Sequence, residues 1–454
     1  MNRDSFSSLT LSTAMVQNLQ VIGYETMTEI QAQAIPLALE GYDLLAQAKT
    51  GSGKTAAFAI ALLEKLDVKN FDVQSLVLCP TRELADQVAK ELRLLAKFKH
   101  NIKILTLCGG TAFGPQFGSL RHGSHIVVGT PGRILKHLKK ESLALDSLKT
   151  LVFDEADRML DMGFIEEIDA VLEYVPKKRQ TLLFSATYTG EVLEISKRVQ
   201  ESPHSIKTTE VELPNKIEEV FYLCENKLET TLSLFAKYTP ENVIVFTNTK
   251  SEADILAQEL RRSNVDALAL HGDLEQYERD DVLVQFINKS ARVLVATDVA
   301  AQGLDIEELR MVLNYDLPHT YETYTHRIGR TGRAGKEGVA LTLYTQDEEQ
   351  KALEYKDEKR SFELLRSQDS LENFTMLAAY GSLVIEGGKK DKLRAGDILG
   401  ALARDVGIDA KHIDKISIYD RQSYVAIAKE QLQQAYEGLR KTKIKAKRFS
   451  VWIL

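Results

Sequence analysis

Nine short apolar runs, most of them closed by small, hydroxylated or acidic residues, set the frame for the whole chain. The first series reads 75-SLVLC, 125-HIVVG, 150-TLVF and 181-TLLF, and the second reads 243-VIVF, 266-DALAL, 291-ARVLVA, 311-MVLNY and 339-VALTLY. Runs of this length, separated by segments of helical periodicity, predict buried strands of parallel sheets covered by helices. In 84-LADQVAKELRLLAKF-98, for instance, Leu84, Val88, Leu92 and Leu95 share one helical face. Two α/β domains are expected, joined near 202-SPHSIKTTEVELPNK-216.

Open α/β sheets bind ligands where loops leave the carboxyl ends of the strands. Here those ends read CPTRE, GTPGR, DEAD and SAT, then TNT, HGD and ATD. Other classes fall away on composition. No apolar run approaches the roughly 18 residues of a membrane span, and MNRDSFSSLT is not a signal peptide, so a cytoplasmic protein with no membrane partner is expected. Cys79, Cys108 and Cys224 are widely spaced with no CxxC, which suggests neither a disulfide framework nor a zinc site.

The stretch 46-AQAKTGSGKT-55 lies between the run 43-DLLAQ and the apolar helix 54-KTAAFAIALLEKL, the strand, loop and helix order of a phosphate-binding loop. Gly51 and Gly53 free the backbone to aim N–H groups at phosphate oxygens, Lys54 is expected to reach the β and γ phosphates of ATP, and Thr55 to hold Mg²⁺. Ala48 replaces the first glycine of G-x-x-x-x-G-K-[ST], which forbids a positive φ more than it fills space. In 154-DEAD, Asp154 is the second expected metal ligand and Glu155 the base that orients and deprotonates water. Alone, those acids read equally as an acidic helix start. The segment 326-HRIGRTGR-333 offers Arg327, Arg330 and Arg333 against charge on the γ-phosphoryl group, the last two sharing a helical face, with a basic surface helix as the alternative.

Taken in order, these stretches resemble the DEAD-box ATP-dependent RNA helicases over roughly residues 1–365. Phe6 and 23-GYETMTEIQ-31 are similar to the family's adenine-reading motif, followed by 48-AKTGSGKT-55, 80-PTRELA, Gly109-Gly110, 130-TPGR, 154-DEAD and 185-SAT, then 243-VIVFTNT, 271-HGDLEQYER, 296-ATDVAAQGLDI and 326-HRIGRTGR. The family's own loop commonly begins with Ala. The resemblance implies two tandem RecA-like parallel-sheet domains, 1–207 and 208–366. It implies that Gln31 reads the adenine edge and Phe6 stacks on it. Thr50, Gly51, Ser52, Gly53, Lys54 and Thr55 would hold the phosphates, Gly303 and Asp305 would meet ATP from the second domain, and Arg330 and Arg333 would be catalytic. Pro80, Thr81, Arg82, Gly110, Thr130, Gly132 and Arg133 would line an RNA backbone track continued by Thr247, Gly272 and Thr297, without reading bases. Ser185, Thr187, Gln302 and His326 would couple the ATP and RNA sites. One position departs: the family usually has Arg where Gln302 stands, which loses a fixed cation and its five-donor fork.

Charge divides the chain. From Glu372 onward 15 Lys and Arg face 10 Asp and Glu, a net +5, against −12 for the rest. The end reads β-α-β-β-α-β through 383-LVIEGGKKDKLRAGDILGALARDVGI, 415-KISIYDRQSYVAIAKE, 431-QLQQAYEGLR and 443-KIKAKRFSVWIL, the order of a small α+β, RNA-recognition-motif-like domain over 372–454. It resembles the C-terminal module of a bacterial branch of the same family that binds a hairpin of large-subunit ribosomal RNA. That implies as partners a ribosomal RNA hairpin with an adjacent duplex, and the pre-ribosomal large subunit, for a monomeric protein. Only Tyr424 stands where an aromatic RNA-binding signature belongs, which leaves the basic edge and loops, with Lys443, Lys445 and Lys447, as the RNA surface. Charge alone also fits a strand edge guarded by lysines. Two rival functions stay open: a nucleotide-gated RNA clamp with weak unwinding, favoured by Gln302, and a DNA translocase.

Overall fold

The computed structural model describes residues 5–48, 51–208, 217–301, 309–332, 337–365 and 374–454. The first sheet and its helices form one compact unit, while the second sheet and the C-terminal domain form another.

The first unit is built on a seven-stranded parallel sheet. Its strands are β1 (Leu44–Gln47), β2 (Ser75–Leu78), β3 (Ile104–Leu107), β4 (Ile126–Gly129), β5 (Thr150–Phe153), β6 (Gln180–Ser185) and β7 (His204–Lys207), in the order β3-β4-β2-β5-β6-β1-β7. Leu76, Val77 and Leu78, like Ile126, Val127 and Val128, are fully buried, which is why they read as unbroken apolar runs. Leu84, Val88, Leu92 and Leu95 are buried on the helix Arg82–Leu95, as their spacing predicts. The helix Lys54–Glu64 is instead buried almost all round, through Ala56 to Leu63, as its run of alanines and leucines allows.

The second unit repeats the plan with β8 (Ile217–Leu223), β9 (Val243–Thr247), β10 (Ala267–Leu270), β11 (Val293–Thr297), β12 (Met311–Asn314), β13 (Gly338–Tyr344) and β14 (Arg360–Leu364), again parallel, in the order β10-β11-β9-β12-β13-β8-β14. Of these fourteen strands, β1, β3, β7, β8 and β14 fall outside the nine runs that marked the others. In β7 only Ile206 is buried, and β14, at the corresponding edge of the second sheet, has no buried residue. Edge and near-edge strands read as polar because solvent reaches them.

The C-terminal domain is a four-stranded antiparallel sheet of β15 (Tyr380–Ile385), β16 (Ile413–Ile418), β17 (Ser423–Ala428) and β18 (Val451–Ile453), in the order β16-β17-β15-β18. Two helical segments, Ala395–Val406 and Lys429–Lys441, cover one face, where Leu383, Ile385, Val425 and Ile427 meet Ile398, Leu402, Ala435 and Leu439. Alternate residues point the other way. Val384 and Tyr424 pack there against Val284, on the helix Gln276–Ile287 of the second domain. The Tyr424 hydroxyl donates to Asp281 at 2.9 Å, Asn288 and Ser290 both reach Ser382, and Lys429 pairs with Asp266 at 2.7 Å. The sheet face that would offer Tyr424 to a base is thus closed by the neighbouring domain. No described helix is long and apolar enough to cross a membrane, and all three cysteines are buried free thiols.

Candidate functional site

In the first domain the functional stretches divide along the sheet. The ends of neighbouring strands β3, β4 and β2 lead to Gly110, Thr130 and Pro80-Thr81-Arg82, whereas β5, β6 and β1 lead to Asp154, Ser185 and the glycine loop. One half of the sheet edge therefore carries the residues expected at RNA and the other half those expected at ATP.

At the glycine loop, Gly51 and Gly53 have φ of 85° and 89°, the left-handed region that glycine enters without strain. A Cβ on Gly53 would lie 2.4 Å from Gln31 Nε2, while one on Gly51 would meet open space, so the loop is pinned on one side and clear on the other. Gln31 Nε2 donates to the Gly53 carbonyl at 3.2 Å, and its Oε1 accepts the Thr28 amide at 3.0 Å. That second bond closes a capping box at the start of Glu29–Glu40, legible in 28-TEIQ-31. Lys54, buried at the first position of its helix, donates to the Ala48 carbonyl at 2.8 Å. Ser52 and Thr55 are half-buried beside it. Phe6, expected to stack on adenine, is buried in the hydrophobic core and meets Tyr24 edge-on at 6.1 Å.

Asp154 and Glu155 follow β5. Glu155 sits at φ 53° and ψ 56°, a conformation that costs a non-glycine residue about 1–3 kcal/mol. Such strain persists where surrounding structure enforces it, and here it turns Glu155 out of strand direction at the helix start Ala156–Asp161. Burial pushes the Asp154 carboxyl up to about 7, against the pull of Lys54 and with added repulsion from Glu155. Two adjacent buried acids short of positive charge suit a divalent cation, so Asp154 and Thr55 fit the expected Mg²⁺.

The last acid of the motif, Asp157, was not among the expected site residues, yet it joins the strand ends. Its Oδ2 accepts the amides of Ala186 and Thr187 at 2.9 and 3.0 Å and the Thr187 hydroxyl at 3.1 Å. Ser185 donates to the Thr187 carbonyl at 2.7 Å, folding 185-SAT into a tight turn. On the other half of the edge, Thr81 caps the helix Arg82–Leu95 by accepting the Leu84 amide at 3.2 Å. Gly110 has a φ of 72°, and Gly132 has nothing within 4 Å of where a side chain would sit, leaving its backbone open to a ligand. Arg133 donates to the Gln116 side chain and to the Thr111 carbonyl, each at 2.9 Å, tying the turn after β4 to the loop after β3.

The second domain repeats this placement. Thr247 and Thr297 are register partners at the ends of β9 and β11, and Gly272 follows β10 beside them. Lys250 flanks Gly272 and pairs with Asp273 at 2.6 Å. His326 is half-buried on the helix Tyr321–Ile328. That helix ends at Ile328, before Gly329, so Arg330 lies beyond it. Arg330 is buried, and its Nε donates to the His326 carbonyl at 3.3 Å. Arg327 is a structural clamp, fully buried, bidentate on Asp298 at 2.6 and 2.8 Å and bonded to Asn248 and the Asp316 carbonyl. Thr50, Gln302, Gly303, Asp305 and Arg333 lie outside the described residues.

In the C-terminal domain Ile444 and Lys447 exchange both backbone bonds across a two-residue turn, with Lys445 and Ala446 at φ 52° and 66°. Lys445 pairs with Asp397 at 3.1 Å and Lys447 with Asp391 at 3.6 Å, while Lys443 is exposed. Ion pairs this exposed are worth little and exchange readily for phosphate.

Comparison with known proteins agrees with these features. Family models match residues 28–195 as a DEAD/DEAH box helicase, 226–335 as a helicase conserved C-terminal domain and 382–453 as a DbpA RNA binding domain. The chain is 48% identical to the ATP-dependent RNA helicase DbpA of Escherichia coli over 99% of both chains. It is 46% identical to the ATP-dependent RNA helicase CshA of Listeria monocytogenes over 74% of this chain and 65% of that one. Among solved structures, S. cerevisiae Dbp5 bound to RNA and ADP BeF3 matches with a TM-score of 0.71 at 30% identity, covering 80% of this chain and 96% of that one.

Proposed function

Because the chain belongs to the DEAD-box ATP-dependent RNA helicases and carries an RNA-binding domain of the DbpA kind, we propose that it separates short RNA duplexes at a structured ribosomal RNA which that domain selects. The observation that carries the reading is the bond set from Asp157 to Ala186 and Thr187, which joins the ends of β5 and β6 beside Asp154 and Glu155.

Gly51 and Gly53 present backbone N–H groups to the phosphates, and Lys54 exchanges the Ala48 carbonyl for them. Mg²⁺, held by Thr55 and through water by Asp154, would neutralise charge on the phosphate oxygens. Glu155 takes the proton from the attacking water, and Arg330 and Arg333 stabilise negative charge on the transferring phosphoryl group. Gln31 braces the loop while facing adenine. Thr81, Gly110, Gly132, Thr247, Gly272 and Thr297 hold the RNA backbone through hydroxyls and open amides, which carry no sequence information.

The address comes from the basic C-terminal domain. Its sheet face is occupied by Val284 and Asp281, which supports binding through the turn at Lys443, Lys445 and Lys447. Large-subunit ribosomal RNA is the proposed target and ribosome assembly in the cytoplasm the proposed setting, for a protein acting as a monomer. ATP turnover measured with ribosomal RNA fragments, random RNA and DNA tests this. Strong stimulation by ribosomal RNA, weaker by random RNA and none by DNA is expected, and equal stimulation by DNA contradicts it.

A further inference from the structure

Beside the expected RNA track lies a run of rings that none of the motifs uses. His137, fully buried on the helix Pro131–Lys139, stacks on Phe113 with centroids 4.1 Å apart and planes 13° apart. Phe113 continues to Phe117 at 6.5 Å and 26°, and Phe117 is 41% exposed. The run is closed at one end and open at the other. His137 is fixed by Ser142 Oγ at 2.8 Å and Gln116 Oε1 at 3.1 Å, and burial with nearby Arg133 and Lys136 holds its pKa down at about 4, so the stack is uncharged near neutrality.

Around it the charge is of one sign. Arg133, Lys136 and Lys140 stand 6.0, 5.8 and 5.0 Å from the Phe113 ring centre, and residues 131–140 contain no acid. Lys136 and Lys140 are exposed and have no ion pair among the described residues. A helix C-terminus favours lysines, which accounts for the cations but not for an exposed phenylalanine in line with a half-buried and a buried ring. Arg133 ties this patch to the loop after Gly110 through Thr111 and Gln116.

We propose that Phe117 is a stacking platform for one unpaired base of single-stranded RNA, whose flanking phosphates reach Lys136 and Lys140. Aromatic rings beside a cationic groove hold single strands in this way irrespective of sequence. The proposal rests on the RNA-binding reading above and adds a base contact outside the backbone track.

The test is equilibrium binding of the full-length chain, with a non-hydrolysable ATP analogue, to single-stranded RNA and to the same strand made abasic. Phe117→Leu should weaken binding of the base-bearing strand by about ten-fold, Phe117→Trp should restore it to within about two-fold, and the abasic strand should bind all three alike. Lys136→Gln with Lys140→Gln should flatten the salt dependence by between one and two in slope. Unchanged affinity in Phe117→Leu, or an equal loss on the abasic strand, would overturn the platform. Failure of the wild-type chain to bind any RNA would instead overturn the functional reading itself.

Discussion

Thr187 gives Asp157 both its amide, at 3.0 Å, and its hydroxyl, at 3.1 Å. The side-chain bond is the part that substitution can remove without disturbing the backbone turn. A hydrogen bond to a charged group contributes about 1.5–3 kcal/mol, so Thr187→Ala should reduce strand separation by about ten-fold or more. ATP turnover should change by only about two-fold, because Lys54, Asp154 and Glu155 are untouched. Equal losses in the two assays would assign Thr187 to chemistry instead of coupling.

Lys54→Ala and Glu155→Gln should separate binding from hydrolysis. The first removes the cation at the loop and should abolish detectable ATP binding. The second keeps the shape of the strained turn but loses the base, so ATP and RNA should stay bound together while turnover falls by at least about a hundred-fold. Near-normal turnover in Glu155→Gln would remove it as the base.

Gln302 lies outside the described residues, and its prediction rests on sequence. A charge-assisted bond exceeds a neutral one by about 0.5–2 kcal/mol, so Gln302→Arg should raise RNA-stimulated turnover up to about ten-fold. ATP affinity without RNA should hardly move. Equal turnover in both forms would mean that position 302 does not use a cation.

The buried His137 should make the first domain sensitive to acid. Its pKa is about 4 in the fold against about 6.5 when unfolded, so the unfolded chain binds more protons between those values. Its contribution is fully present above about pH 6.5 and is lost progressively down to about pH 4. Melting temperature should therefore fall across that window, and fall less steeply in His137→Gln, which keeps a polar side chain but does not titrate. Identical slopes would exclude His137 as the cause.

What the sequence disclosed follows from where solvent and ligands sit. Central strands such as β2 and β4 announce themselves because both faces are buried, while β7 and β14 are edge strands with the polar spelling of loops. The strand-end clusters were legible because ligand chemistry at a parallel sheet is local in sequence. Asp157 was in plain view within 154-DEAD, yet its partners lie some thirty positions away, a pairing that only the adjacency of β5 and β6 creates. Arg327 looked like its neighbour Arg330 until the fold buried it on Asp298. Tyr424, the one aromatic at the expected signature position, bonds Asp281 instead. Residues 374–378 fall in the stretch 372–454 read as the C-terminal domain, yet Met376 packs in the hydrophobic cluster of the second sheet and pairs with Val265.

The division of labour between a general ATPase and an addressed C-terminal domain is tested most directly by the RNA concentration that half-maximally stimulates ATP turnover. It should be measured with a large-subunit ribosomal RNA fragment and with unrelated RNA, for the full chain and for a chain ending at Ala379, which keeps Met376 in place. The full chain should respond to the ribosomal fragment at a concentration at least about a hundred-fold lower than to unrelated RNA, because the tethered domain raises the effective concentration of its target. The shortened chain should retain turnover and lose the distinction. If the shortened chain prefers the ribosomal fragment as strongly as the full one, the address lies in the two ATPase domains and the assignment of the C-terminal domain is wrong.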